Sequence, residues 1–66
     1  MTKIQLNGEQ TIVASKNIAD LLVELALADK RVAIERNQQL VRRDELTETP
    51  IVSGDQIEIV HFVGGG

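Results

Sequence analysis

Gln56-Ile57-Glu58-Ile59-Val60-His61-Phe62-Val63, followed directly by Gly64-Gly65-Gly66, is the stretch on which the reading of this 66-residue chain turns. It starts as a clean alternation of polar and apolar residues, the period of a half-buried strand, and becomes apolar on both faces at its end. A strand covered on both faces is central in its sheet, or meets a partner at that end. Ile57 and Ile59 share one face; Val60 and Phe62 share the other. With a helix over the Ile57 side, Val60 and Phe62 form an exposed apolar patch, the mark of a binding surface, and with Val63 they are the expected partner-binding residues. The competing reading is that all three complete a core.

Working back from this strand, Ser53-Gly54-Asp55 is a turn cluster. Arg42 to Pro50 is polar and irregular, with Leu46 as its one expected anchor, and Pro50 rules out a central strand there. Leu40-Val41 opens a short strand after the turn Asn37-Gln38-Gln39. Arg31 to Glu35 alternates again, with Val32 and Ile34 on one side. Ile18, Leu21, Leu22 and Leu25 fall at helical spacing on one face. Asn17 stands where it caps that helix, and Asp20 sits in its first turn; the apolar stripe runs on to Leu27 or Ala28. At the start, Lys3 to Leu6 and Gln10 to Ala14 flank Asn7-Gly8, the dipeptide that suits a two-residue hairpin turn. The single helix must bury its leucines against the sheet. The predicted fold is α+β: a mixed sheet of four to five strands with one main helix across one face, the last strand parallel to the first at the centre. That is the β-grasp, or ubiquitin-like, arrangement, expected as a single domain over 1–66.

The glycines that follow the last strand have no side chain to pack and lose the most entropy on ordering. A loose chain end carries glycine too, so the triplet alone decides nothing. Its use lies in thinness. Three extended residues reach roughly 10 Å, and with no Cβ atoms they pass through a narrow channel to set a carboxylate against a nucleotide. Residues 64–66 (Gly64, Gly65 and Gly66) are therefore expected to form a flexible tail whose working group is the Gly66 carboxylate.

Composition narrows the options. A chain this short buries only roughly 60% of its unfolded surface, too little to spare side chains for a deep active site. Seven Lys and Arg against ten Asp and Glu give a net charge of −3, which repels a phosphate backbone, so no nucleic-acid partner is expected. There is no cysteine, hence no disulfide, thiolate nucleophile or cysteine-based metal site. No segment has the roughly 20 apolar residues a bilayer span needs, and the N-terminus lacks the apolar block of a signal peptide, so a soluble, cytoplasmic protein with no membrane contact is expected. His61, the only histidine, reads as a packing or surface residue ahead of a catalytic or metal role. Arg42 and Arg43 read as a solvated loop edge, with docking to an acidic surface as the rival. Glu35, Asp44 and Glu45 have no base or nucleophile arranged with them. With no phosphate loop or metal cluster in the sequence, no metal and no cofactor bound by the chain are expected, and nucleotide chemistry on Gly66 must sit on another protein.

Several of these pieces, in order, resemble the ThiS family, the sulfur carriers of thiamine thiazole synthesis. They are Leu6-Asn7-Gly8, the helix Ile18 to Leu25, Val32-Ala33-Ile34-Glu35-Arg36-Asn37 with Gln39-Leu40-Val41, and Gly54-Asp55-Gln56-Ile57-Glu58-Ile59-Val60 running into Val63-Gly64-Gly65-Gly66. The resemblance implies a carrier, not an enzyme. A ubiquitin-activating-type adenylyltransferase (ThiF-like) would adenylate Gly66 with ATP. Sulfur from a sulfur-donor protein would then give a thiocarboxylate (1-thioglycine), and thiazole synthase (ThiG-like) would take the sulfur. One departure stands out. Family members often carry a proline before the arginine matching Arg43, and Arg42 stands there instead, which predicts a less rigid exit from the fourth strand. The alternatives are a carrier of the molybdopterin synthase small-subunit type, a ubiquitin-like modifier conjugated to lysines, or a passive interaction domain.

Overall fold

The first turn sets the sheet in motion. Asn7 and Gly8 both take positive φ, 51° and 84°, as a two-residue hairpin requires, and join β1 (Thr2–Leu6) to β2 (Glu9–Val13). This computed structural model describes residues 1–62. The helix α1 follows (Ile18–Glu24), then β3 (Val32–Arg36), β4 (Gln39–Val41), a 3₁₀ turn (Arg43–Glu45) and β5 (Gln56–His61). The five strands lie in the order β2-β1-β5-β3-β4. β5 is central, parallel to β1 and antiparallel to β3. The predicted β-grasp fold is the one observed.

One face of the sheet is covered by α1. Ile4, Val13, Ile34, Ile57 and Ile59 meet Ile18, Leu21 and Leu22 in a buried cluster, with Leu25 and Leu46 packed against it as partly buried neighbours. The start of α1 leaves none of its first amides unpartnered. Asn17 Oδ1 accepts from the Asp20 N–H at 2.8 Å, the Ile18 N–H donates to Thr49 O at 3.0 Å and the Ala19 N–H to Leu46 O at 3.1 Å. The polar loop 42–50 is thus a cap for the helix as well as a connection.

The helix is shorter than its apolar stripe predicts. It stops at Glu24, because Ala26 turns left-handed at φ 60°. The Ala26 N–H then donates to Val23 O at 3.0 Å and the Leu27 N–H to Leu22 O at 2.7 Å. This is a Schellman closure, and it folds Leu27 back onto the core beside Leu22. At the exit from β4 the Arg42 N–H donates to Glu45 Oε1 at 3.1 Å, a bond proline could not make.

Candidate functional site

The end of β5 is the place to which the sequence assigns function, and the structure describes it as far as Phe62. Val60 pairs with Ala33 and His61 with Val32 across the β3·β5 ladder. The Phe62 N–H then donates to Arg31 O at 3.1 Å. Ile57 and Ile59 are buried under α1, so strand alternation turns Val60 outward. Val60 is 59% exposed and Phe62 64%. Both are thus exposed, and the reading that they complete a core does not hold for these two. Val63, Gly64, Gly65 and Gly66 lie outside the described residues.

β5 is held from both sides by asparagines. On the β1 side, Asn7 Oδ1 accepts from the Ile59 N–H at 2.8 Å while Asn7 Nδ2 donates to Ile59 O at 3.2 Å. One side chain thereby copies a backbone partner and extends the parallel ladder beyond Leu6. On the β3 side, Asn37 Oδ1 accepts from the Gln56 N–H at 2.9 Å and the Asn37 N–H donates to Gln56 O at 2.7 Å. Both asparagines stand first in a hairpin turn at positive φ, where Asn is better tolerated than most residues.

Below them sits a buried acid that the sequence reading treats only as part of a turn. Asp55 accepts from Arg36 Nε at 2.8 Å, from Asn37 Nδ2 at 3.0 Å and from the Val52 N–H at 2.9 Å. Burial pushes its carboxyl up, but the Val52 and Asn37 hydrogen bonds and the Arg36 guanidinium outweigh that and hold it below the ordinary aspartate value. A second carboxylate, Glu24, closes the corner between β2 and α1. It accepts from the Ser15 hydroxyl and from the Ala14 and Ser15 N–H groups. The Ser15 hydroxyl first, then the Ala14 N–H, draw its titration downward. Both acids are structural, fully occupied by donors.

The remaining singled-out residues do not converge on one site. His61 is exposed. Arg42 is exposed, 3.9 Å from Asp44. Arg43, with Lys30 and Arg31, borders a hollow of about 430 Å³ floored by Leu22, Val32, Ile34, Val41 and Leu46. Among the described residues no group of three His, Cys, Asp or Glu is placed to hold a metal ion, and no helix is long and apolar enough to cross a membrane.

A family model described as the ThiS family matches residues 4–66, a span that takes in the outward patch, both asparagine staples and the glycines. The chain belongs to the ThiS family. It is 40% identical over 65 residues to the sulfur carrier protein ThiS of Bacillus subtilis, covering 96% of this chain and 98% of that protein. It is 43% identical over 65 residues to a thiazole synthase of Magnetococcus marinus. That match takes in 97% of this chain and only 20% of the synthase, so the chain spans about a fifth of the length of that relative. Among solved structures, the crystal structure of a thiamine biosynthesis protein (ThiS) from Geobacter metallireducens superposes with a TM-score of 0.84 at 29% identity. It covers 98% of this chain and 100% of that one. As a ThiS-family chain, its described body offers a scaffold and a bare outer face.

Proposed function

We propose that this chain is a sulfur carrier of thiamine biosynthesis, acting in the cytoplasm as a co-substrate for partner enzymes and catalysing nothing itself. The observation that carries the reading is the ThiS-family match, which runs through the glycines to residue 66. A carboxylate is a poor electrophile and needs a leaving group. In the proposed sequence a ThiF-like adenylyltransferase joins Gly66 to AMP and releases pyrophosphate from ATP. The terminal sulfur of a donor persulfide displaces AMP, and thiol cleavage of the remaining S–S bond leaves the thiocarboxylate. Thiazole synthase then takes that sulfur. The Magnetococcus marinus relative supports this last partner, since a protein named thiazole synthase contains a stretch 43% identical to this chain.

The role of the folded body follows. Val60, Phe62 and Val63 dock the enzyme, and Gly64 and Gly65 pass Gly66 into the nucleotide pocket without steric load. ATP and the sulfur donor act through the partner enzymes. The test is intact mass after incubation with the adenylyltransferase, ATP and a sulfur source. The expected result is an oxygen-to-sulfur exchange localised to Gly66. Recovery of Gly66 unchanged with adenylyltransferase, ATP and sulfur source all present would refute it.

A further inference from the structure

Asn7 is joined to β5 by more bonds than a turn needs. Its N–H donates to Ile57 O at 2.9 Å, its Oδ1 accepts from the Ile59 N–H at 2.8 Å and its Nδ2 donates to Ile59 O at 3.2 Å. The residue after it is glycine, and that pair carries a chemistry of its own. A main-chain nitrogen that reaches the carboxamide carbon of the preceding asparagine closes a five-membered succinimide ring. A Cβ on the attacking residue hinders the approach, and glycine has none. At Gly8 the space a Cβ would fill is open, with no atom within 4 Å, and both residues are exposed. The nucleophile is unobstructed. What restrains the reaction is the clamp on the asparagine side chain.

The chain has two other asparagines, at 17 and 37, and both are less open to attack. Asn17 precedes the β-branched Ile18, whose N–H is engaged with Thr49 O at 3.0 Å, while Asn17 Oδ1 caps α1 through the Asp20 N–H. Asn37 precedes Gln38, which carries a side chain, and its own carboxamide is held by Asp55 and by the Gln56 N–H. At Asn7 the carboxamide has to let go of one residue only, Ile59. It does so where the parallel ladder has already passed its last strand pair, Leu6 with Ile57. The end of a ladder opens at lower cost than the whole fold does.

We infer that Asn7-Gly8 is a self-modification site of the folded protein: a deamidation gated by release of the Asn7 carboxamide from Ile59, whose product cannot re-form the clamp. On release, the Gly8 nitrogen bonds to Asn7 Cγ, the Cγ–Nδ2 bond breaks, and Nδ2 leaves as ammonia with the Gly8 amide proton. Water then opens the ring. Addition at Cγ gives aspartate; addition at the main-chain carbonyl carbon gives isoaspartate, with the chain routed through the former side chain. The sum is asparagine plus water giving either acid plus ammonia, with no oxidant, reductant or cofactor. Both products lose the donor that meets Ile59 O. Aspartate sets a carboxylate oxygen against that carbonyl, two acceptors face to face. Isoaspartate adds a methylene to the main chain inside a two-residue turn. The change is one-way, and it falls where β1 closes on the central strand.

The test ages the full chain at neutral pH, native and in guanidinium chloride, and follows it by intact mass and peptide mapping. Each modified chain should exchange one NH for one oxygen, with Asn7 the first site to react. Two hydrogen bonds of ordinary net strength make the released side chain about 30-fold rarer than the held one, so the native rate should lie about 30-fold below the unfolded rate. Asn7→Asp reproduces the aspartate product without ageing and should melt about 8–16 °C below wild type. A native rate equal to the unfolded one shows that the clamp restrains nothing, and refutes the inference. A native rate that climbs with denaturant at the full slope of global unfolding places the reaction in the unfolded chain and refutes it equally. Reaction at Asn17 or Asn37 ahead of Asn7 overturns the site, and an Asn7→Asp protein as stable as wild type overturns the consequence.

Discussion

Replacing Asp55 with alanine tests whether the buried acid at the foot of β5 holds the sheet centre together. Asp55 is 6% exposed and accepts from the Val52 N–H, Asn37 Nδ2 and Arg36 Nε. A fourth contact, from Arg36 Nη2 at 3.5 Å, is too long to add much. The Val52 and Asn37 donors are each worth about 1 kcal/mol. The Arg36 side chain is 28% exposed, so water recovers part of its loss and it too counts for about 1 kcal/mol. The expected cost is about 3 kcal/mol, against a total stability of roughly 3–10 kcal/mol for a chain of this length. A fall in Tm of about 12–24 °C corresponds. Urea unfolding followed by circular dichroism, stepped down from neutral pH, adds a sign check. The folded pKa of Asp55 lies below the ordinary aspartate value. Its stabilisation is therefore complete above the ordinary aspartate range and is lost as pH falls through the lower folded pKa. Glu24 also titrates low, but it does so in both proteins and cancels in the difference. The gap between wild type and Asp55→Ala is full at neutral pH and narrows in acid. A loss below about 1 kcal/mol at neutral pH, or a gap that stays flat or widens in acid, refutes the argument.

Other positions give sharper local readings. Ala26→Gly removes a left-handed alanine at φ 60° and should add about 0.5–1 kcal/mol, seen as a higher urea midpoint at unchanged slope. Asn7→Ala loses both bonds to Ile59 and leaves a Cβ residue at φ 51°, for a cost of about 2–3 kcal/mol. Asn7→Gly loses the bonds without the backbone strain and should fall between the two, with faster hydrogen exchange at the Ile59 amide in both variants. Removing Gly66 should leave the Tm unchanged while abolishing thiocarboxylate formation by intact mass; partial loading of the shortened chain would count against Gly66 as the acceptor.

What the sequence exposed, and what it hid, follows from the range of the interactions. Strand alternation is local, so β5, its inward Ile57 and Ile59 and its outward Val60 were all legible. Asn7-Gly8 was legible because both residues tolerate positive φ. Asn37-Gln38 was less so: Gln38 stands at φ 71°, a conformation that local preference disfavours and the surrounding ladder imposes. The helix end misled because Leu25 and Ala28 continue the apolar period of Leu21 at i+4 and i+7, so the stripe outruns the helix. Leu27, off that period, reaches the core only through the backbone reversal at Ala26. Ile51 escaped notice because it stands alone between Pro50 and Val52, and its burial depends on the Ile51 N–H meeting Lys16 O from across the fold. Asp55 was hidden for a like reason: its donors come from residues 36, 37 and 52, and only the closed sheet brings them together. The Asn7 bonds to Ile59 needed a register, and register is a property of two strands.

An edge strand is held by one ladder. β5 is held by two, to β1 and β3, with Asn7 and Asn37 adding side-chain partners where each backbone ladder runs out. The two ladders seat it over the middle of the core, where Ile57 is fully buried. Among the described residues nothing covers the outer side of β5, because α1 lies on the other face. The firm anchorage of β5 and the exposure of Val60 thus come from a single topological choice.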